Sequence, residues 1–436
     1  MDKITPIGVT NYQSKRIPFG IKAKDRTGHI YCIGKTGVGK STLLLNMAIS
    51  DISQGSSVAV IDPHGDLATT LLSYIPIDRI KDVIYFDASD TKHLIAYNPL
   101  CNIPEAEKHM VASNIVSVFK KLWSDSWGPR LEHILRNTVH SLTYHPQATL
   151  LDIQPLLTNH HFRKEVISFI TDSALLSFWL NEFEPLSPHV KAEHIASIVN
   201  KVGILATNPI LKAILSARET RFSVAEVFTH NKIFIANLAK GSIGESGSEL
   251  LGSLLITTFQ IQSLRRNAIP IEERTPVYLY IDEIHSFMTD SFIDILSESR
   301  KYGLCLFICN QYTEQLKEGI LHGILGNVGT FICFRIGARD AQALEHEFAP
   351  VFSSEDLINL PRFSIYLKLL IDGTTSKPFS ANTQGLPHIR HSYRKNIKLE
   401  SIRKYCVPAA QADIDRNNDI VANEEKMPTQ GRLDFG

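Results

Sequence analysis

The sequence has no excess of charge of either sign. Lys plus Arg and Asp plus Glu number 45 each, so the formal net charge is zero. Any surface for nucleic acid must therefore be local rather than global. It also has no long apolar run: nothing approaches the ~18 uninterrupted apolar residues of a membrane span. The opening MDKITPIGVTNYQSKR lacks the apolar core of a signal peptide. These absences predict a cytoplasmic chain with no integral membrane segment. Cysteine is sparse, and the six residues include no C-x-x-C pair. Cys32, Cys305, Cys309 and Cys333 fall inside apolar runs, which makes them small core fillers rather than metal ligands or disulfide partners. No internal repeat is visible.

The 436 residues, 44% of them hydrophobic, suffice for a large core and suit two domains. Short runs rich in Val, Ile, Phe and Tyr recur: Ile30–Ile33, Val58–Ile61, Val83–Phe86, Lys232–Ala236, Val277–Ile281, Leu304–Cys309, Thr330–Phe334 and Ile365–Leu370. Continuous rather than alternating apolarity predicts strands buried on both faces, as in a parallel sheet. Helical stretches separate most of these runs, the pattern of α/β folds. The alternation stops between about Asn102 and Glu226, where apolar residues recur at helical spacing. The expected division is residues 1–101 and 227–385 for an α/β domain, 102–226 for an inserted all-α domain, and 386–436 for a C-terminal tail. That tail is first basic (His388, Arg390, His391, Arg394, Lys395, Lys398, Arg403, Lys404) and then, over Asn417–Gly436, of flexible composition.

Gly34-Lys35-Thr36-Gly37-Val38-Gly39-Lys40-Ser41 fits the pattern G-x-x-x-x-G-K-[ST] at every fixed position. A strand-like run precedes it and a helical stretch from Thr42 follows. Glycines let successive backbone N–H groups face one anion, and a helix N-terminus adds its partial positive charge. The pattern predicts a phosphate cradle over residues 34–42, with Lys40 on the β- and γ-phosphates of ATP and the Ser41 hydroxyl on Mg²⁺. The strand Val277–Ile281 ends in Asp282-Glu283. A nucleotide hydrolase needs one carboxylate for the metal, which Asp282 fits, and one base for water, which Glu283 fits. Asn310-Gln311 closes the strand Leu304–Cys309, where Gln311 is placed to sense the γ-phosphate. Arg300, just before that strand, is the first candidate for an arginine acting on a neighbouring subunit; Arg335 and Arg339 are rivals. Asp62 and His64 follow another strand. Asp62 is expected to help orient metal-bound water, and His64 is expected to be a loop residue.

HIYCIGKTGVGKST (His29–Thr42), VAVIDPHGD (Val58–Asp66), YIDEIHSF (Tyr280–Phe287), ESRKYGLCLFICNQY (Glu298–Tyr312) and NVGTFICFRIGARDA (Asn327–Ala341) together resemble the FtsK–HerA superfamily of pumping ATPases. They are most similar to the cytosolic part of the type IV secretion coupling proteins, without their N-terminal membrane helices. The resemblance implies a RecA-like P-loop core, a homo-hexameric ring, and hydrolysis of ATP with Mg²⁺ coupled to movement of DNA. It makes Asp282 and Glu283 the Walker B acids, Gln311 the sensor and Arg300 the finger in trans. Relaxase, secretion or nuclease proteins are the implied partners. The alternatives are a secretion ATPase that moves protein, and a nucleotide-gated adaptor with little turnover. The second-lobe pattern of helicases, the N-K-x-D motif of GTPases and the signature of ABC ATPases are absent.

Overall fold

The computed structural model describes residues 3–11, 15–290 and 292–408. The Asn417–Gly436 segment lies outside them. The strands, in chain order, are β1 (Ile4–Thr10), β2 (Pro18–Lys22), β3 (Ile30–Ile33), β4 (Ser57–Asp62), β5 (Val83–Asp87), β6 (His93–Ile95), β7 (Ile233–Asn237), β8 (Val277–Ile281), β9 (Leu304–Asn310), β10 (Thr330–Cys333), β11 (Ser364–Lys368), β12 (Leu370–Ile371), β13 (Thr374–Thr375), β14 (Phe379–Thr383) and β15 (Cys406–Pro408). Eleven form one sheet in the order β2-β1-β14-β11-β10-β3-β9-β8-β4-β7-β5. From β10 to β5 every neighbouring pair runs parallel. The loops after β3, β4, β8, β9 and β10 therefore meet at one edge, where ligands bind in open α/β sheets.

Burial explains the continuous apolar runs. Every residue of β3, β4, β8 and β9 is buried. Alternate side chains feed two cores: Tyr31, Ile33, Ile61, Leu279 and Ile281 on one face, Ile30, Cys32, Val58, Val60 and Tyr280 on the other. The second face is covered by the helix Lys40–Ser53 through Leu43, Leu44, Met47, Ala48 and Ile52. The first is covered by the helix Glu245–Leu264 and by the helices between β6 and β7. Phe222 of that helical block stacks edge-on with Phe86 at 5.9 Å and packs on Phe234 at 5.6 Å. The block thus shares one core with the sheet.

A buried polar knot ties the helix Lys40–Ser53 to β8 and β1. Asp51 and Arg26 are almost fully buried and 3.1 Å apart. The Arg26 guanidinium also donates to Tyr280 Oη at 3.0 Å and to Thr5 Oγ1 at 3.0 Å, and Thr5 Oγ1 donates to Asp51 at 2.6 Å.

Two features differ from the sequence reading. The antiparallel wing β2-β1-β14-β11 was not foreseen beyond β11, because its segments mix apolar residues with Gly, Pro and polar residues. The basic segment is not simply a tail. Arg394–Tyr405 is a helix whose Ile397, Ser401 and Tyr405 are buried at four-residue spacing. Ser401 Oγ accepts from the Tyr85 N–H at 3.0 Å, and β15 pairs with β6. A stripe three residues wide is too narrow to outweigh five cations in a sequence pattern.

Candidate functional site

The helix Lys40–Ser53 starts directly after the glycine-rich loop, so its N-terminal N–H groups face the loop's mouth. Gly37 and Gly39 have φ of 76° and 123°, a region side chains other than glycine seldom adopt. A Cβ on Gly39 would also stand 2.8 Å from the Phe363 ring. A cleft of about 300 Å³ opens there, lined by Thr36, Gly37, Gly39, Lys40, Ser41, Thr42, His64, Asp282, Glu283, Gln311, Arg362 and Phe363. Gly34 and Val38 of the predicted cradle do not line it. The Val38 side chain is buried in the core, and a Cβ on Gly34 would meet Phe334 at 2.6 Å. Lys35 faces an adjoining cleft with Arg339 and Tyr312.

Within the cleft, Lys40 Nζ donates to the carbonyls of Gly34 and Lys35, the latter at 3.0 Å. Ser41 Oγ is 3.4 Å from Asp282 Oδ2. Burial, then the nearby charges of Glu283 and Asp62, push the Asp282 carboxyl up to about 6. Glu283 has a left-handed backbone, φ 49° and ψ 54°, a costly conformation for this residue type. Its N–H is held by Asp282 Oδ1 at 3.1 Å. Gln311 Nε2 donates to Glu283 Oε1 at 2.6 Å, and Gln311 Oε1 accepts from Thr36 Oγ1 at 2.9 Å. Glu283 Oε2 is buried without a hydrogen bond.

The structure thus brings together Lys40, Ser41, Thr42, Asp282, Glu283 and Gln311. It does not bring Arg300 to them. Arg300 lies in the turn Ser299–Tyr302 before β9, and Gln311 follows the other end of that strand. At ~3.3 Å per residue the two ends stand roughly 20 Å apart. Arg335 is exposed, and its carbonyl accepts from the Lys35 N–H at 2.9 Å. Arg339 is exposed and paired with Glu314 at 3.0 Å. Asp62 is not free for metal-bound water: its two oxygens accept from the N–H groups of His64 and Ala68, each at 2.9 Å. It acts on the site through its charge on Asp282. His64 is exposed at the cleft, and no cluster of metal-ligating side chains occurs among the described residues.

Sequence reasoning missed Arg362 and Phe363. Phe363 has φ 67°, and its N–H donates to the Val38 carbonyl at 3.0 Å. The Arg362 guanidinium stands 4.7 Å from the Phe363 ring centre. Both sit on the turn before β11, with no motif to mark them; only the fold brings that turn over the loop.

The family profile for the type IV secretion-system coupling protein DNA-binding domain matches residues 12–360. The chain belongs to this family. Its fold is shared with solved coupling-protein structures at low sequence identity. Plasmid coupling protein TrwB, in complex with a non-hydrolysable GTP analogue, is similar at a TM-score of 0.63 and 17% identity, covering 85% of this chain and 89% of that one. The complex of TrwB with ADP and Mg²⁺ aligns equally, at TM-score 0.63 and 17% identity, over 86% and 90%. VirB4 of Thermoanaerobacter pseudethanolicus aligns at TM-score 0.58 and 14% identity, over 88% and 96%. No curated protein sequence matches the chain. The coupling-protein fold seen here is the RecA-like α/β core with its helical block. No single helix among the described residues is long and apolar enough to cross a membrane; one pair, Pro188–Thr207 with Pro209–Leu215, passes by length and composition but is bent by 93°.

Proposed function

We propose that this coupling-protein family member is a Mg²⁺-dependent ATP hydrolase that assembles as a hexameric ring and moves DNA. The observation that carries the reading is the convergence of Glu283 and Gln311 on the mouth of the P-loop. The family's DNA-binding assignment supports DNA as cargo. Arg300 is exposed and far from its own P-loop, so a role in nucleotide hydrolysis would have to be at a neighbour's site, which a ring supplies. Six free cysteines suit the reducing cytoplasm.

The donor set fits a metal-bound triphosphate. Asp282 is a buried carboxylate among other negative charges, a setting that favours a cation. Glu283 is a buried carboxylate at the mouth of the P-loop, held at Oε1 by Gln311. Among the described residues, Lys40 Nζ is hydrogen-bonded to the carbonyl oxygens of Gly34 and Lys35 alone. Bound Mg²⁺ supplies charge neutralisation at the phosphates. The chain supplies the rest. Lys40 leaves the loop carbonyls for the β- and γ-phosphates, and the loop N–H groups hold the same oxygens. Ser41 and Asp282 hold the metal's side of the cleft. Glu283 takes the proton from the attacking water as the water oxygen bonds to the γ-phosphorus and the bond from that phosphorus to the leaving ADP oxygen breaks. Gln311 bridges that base to Thr36 of the loop, so a change at the γ-phosphate moves both.

The test is ATP turnover with and without duplex DNA for the wild-type chain, Lys40→Ala and Glu283→Gln, with mass measurement of the assembly. DNA-stimulated turnover lost in both variants is the expected result. A strictly monomeric protein without DNA stimulation would overturn the reading; strong DNA-independent turnover would favour protein as cargo.

A further inference from the structure

His285 lies two residues beyond the base and has no role in the reading above. Its ring is enclosed from several sides. Nδ1 stands 3.3 Å from Glu283 Oε2, and both atoms are buried without a hydrogen bond. Nε2 is 3.3 Å from Gln315 Nε2. The charges of Lys240, from the helix Lys240–Ile243, Lys121, from the helix Lys108–Leu122, and Glu245, from the helix Glu245–Leu264, also face it.

The tautomer follows from the neighbours. Gln315 Oε1 accepts from the backbone N–H groups of Gln311 at 3.1 Å and Tyr312 at 3.2 Å. Two fixed donors settle which end of the amide is oxygen. Gln315 Nε2 must then be a donor, so His285 Nε2 must be the acceptor and bears no proton. Burial disfavours the imidazolium; the charges of Glu283 and Glu245 favour it, those of Lys240 and Lys121 oppose it, and the balance lies below the ordinary imidazole value. The ring is neutral with its proton on Nδ1, the nitrogen beside Glu283 Oε2.

We infer that His285 is a positioning residue for the base: its Nδ1–H faces one carboxylate oxygen of Glu283 while the Gln311 amide holds the other. The inference rests on the hydrolytic reading above. The contacts close a ring: the Gln311 side chain to Glu283, Glu283 to His285, His285 to Gln315, and Gln315 back to the Gln311 backbone. A shift of Gln311 therefore loosens both holds on the carboxylate at once. The loop carrying both residues is anchored to the helical block and to its neighbouring helix. Lys121 Nζ donates to the Ser286 carbonyl, and Lys240 Nζ donates to Ser286 Oγ at 3.0 Å.

Two measurements on the full chain test the assignment. Histidine-labelled NMR of the nucleotide-free protein, with His285 identified by its loss in a variant, reads the tautomer directly. A protonated Nδ1 is expected, and a bare Nδ1 would overturn the inference. Steady-state kinetics then compare His285→Ala, His285→Gln and His285→Asn. The Asn amide nitrogen occupies the place of Nδ1, whereas the Gln amide reaches the place of Nε2. A fall in kcat of about tenfold or more is expected for Ala and Gln, with KM little changed and with rescue by Asn to within about threefold. Wild-type kcat in His285→Ala would overturn the inference, and so would equal loss in all three variants, which is what a merely structural role gives. If the wild-type chain itself turned over no ATP, the hydrolytic reading would fall, and the NMR result would still decide the tautomer.

Discussion

Gln311 grips the Glu283 carboxylate at 2.6 Å with its amide nitrogen while its amide oxygen takes the Thr36 hydroxyl at 2.9 Å. One side chain thus spans the P-loop and the base. Without it the carboxylate keeps its charge but loses its aim. Gln311→Ala is therefore expected to lower kcat by about 10²-fold, the scale of a misplaced general base, with KM within a few-fold of wild type. Thr36→Val breaks only one end of the bridge and is expected to cost less. Steady-state ATPase assays check the order. A Gln311→Ala enzyme with unchanged kcat would show that the bridge is incidental.

Asp282 illustrates the conflict between stability and function. Its carboxyl is buried beside Glu283 and Asp62 and is pushed up to about 6, so at neutral pH the nucleotide-free protein carries an ion it holds poorly. Asp282→Asn removes that charge at nearly constant shape. Denaturant melts without nucleotide or metal are expected to show a gain on the order of 2 kcal/mol at pH 7, together with loss of Mg²⁺-dependent turnover. A variant less stable than wild type would mean that the carboxylate's hydrogen bonds outweigh the repulsion.

The parts of the fold legible in the sequence are those in which one physical demand acts alone. β3, β4, β8 and β9 are buried on both faces, so they are apolar without interruption, and the phosphate loop needs glycines at fixed positions whatever surrounds it. β1, β2 and β14 are half-buried and carry Gly8, Gly20 and polar residues. Their pairing partners lie far apart in the chain: Gly8 opposes Thr383. No local pattern encodes that. Arg362 and Phe363 were illegible for the same reason, since only the return of the chain through β11 brings them over Gly39. The motif residues of β8 and β9 were found because each stands at a strand's carboxyl end, and that edge is common to the whole sheet.

Among the described residues, Arg362 is the one arginine lining the P-loop cleft. Its guanidinium rests on Phe363 rather than on a carboxylate, leaving its donors toward the cleft. A charged hydrogen bond to phosphate contributes about 1.5–3 kcal/mol. Arg362→Ala is thus expected to weaken ATP binding by about tenfold or more, with Arg362→Lys recovering part of the loss. Equilibrium titration with an ATP analogue reads this directly; unchanged affinity would assign the residue to packing on Phe363.

The Arg26–Asp51 pair tests how the P-loop helix is fixed to the sheet. Side-chain exposures are 1% and 2%, and loss of one partner strands a buried charge. Asp51→Ala is expected to destabilise by about 3–5 kcal/mol. A double change, Arg26→Met with Asp51→Leu, leaves no charge behind and is expected to recover most of that. Thermal or urea melts of the three proteins decide. A double variant as unstable as Asp51→Ala would place the cost in the lost hydrogen bonds to Thr5 and Tyr280 instead.

His29, at the entry to β3, sets a pH limit on the fold. Its ring is fully buried; Nδ1 accepts from the Leu306 N–H at 3.1 Å and Nε2–H donates to the Leu296 carbonyl at 3.0 Å. The first of these contacts requires a bare nitrogen, so protonation breaks it. Burial, with Arg300 nearby, lowers the imidazole from 6.5 to about 4. The unfolded chain therefore takes up the proton before the folded one does. Stability from this site is whole above about pH 6.5 and falls as pH drops toward 4, by about 3 kcal/mol in all. His29→Gln cannot titrate. The stability difference between wild type and His29→Gln is expected to shift by that amount against wild type between pH 7 and pH 4. Carboxylates common to both proteins cancel in the comparison. A difference that stays constant with pH would mean that the buried ring stays protonated or opens to water, and that the strand entry is held by something other than a neutral imidazole.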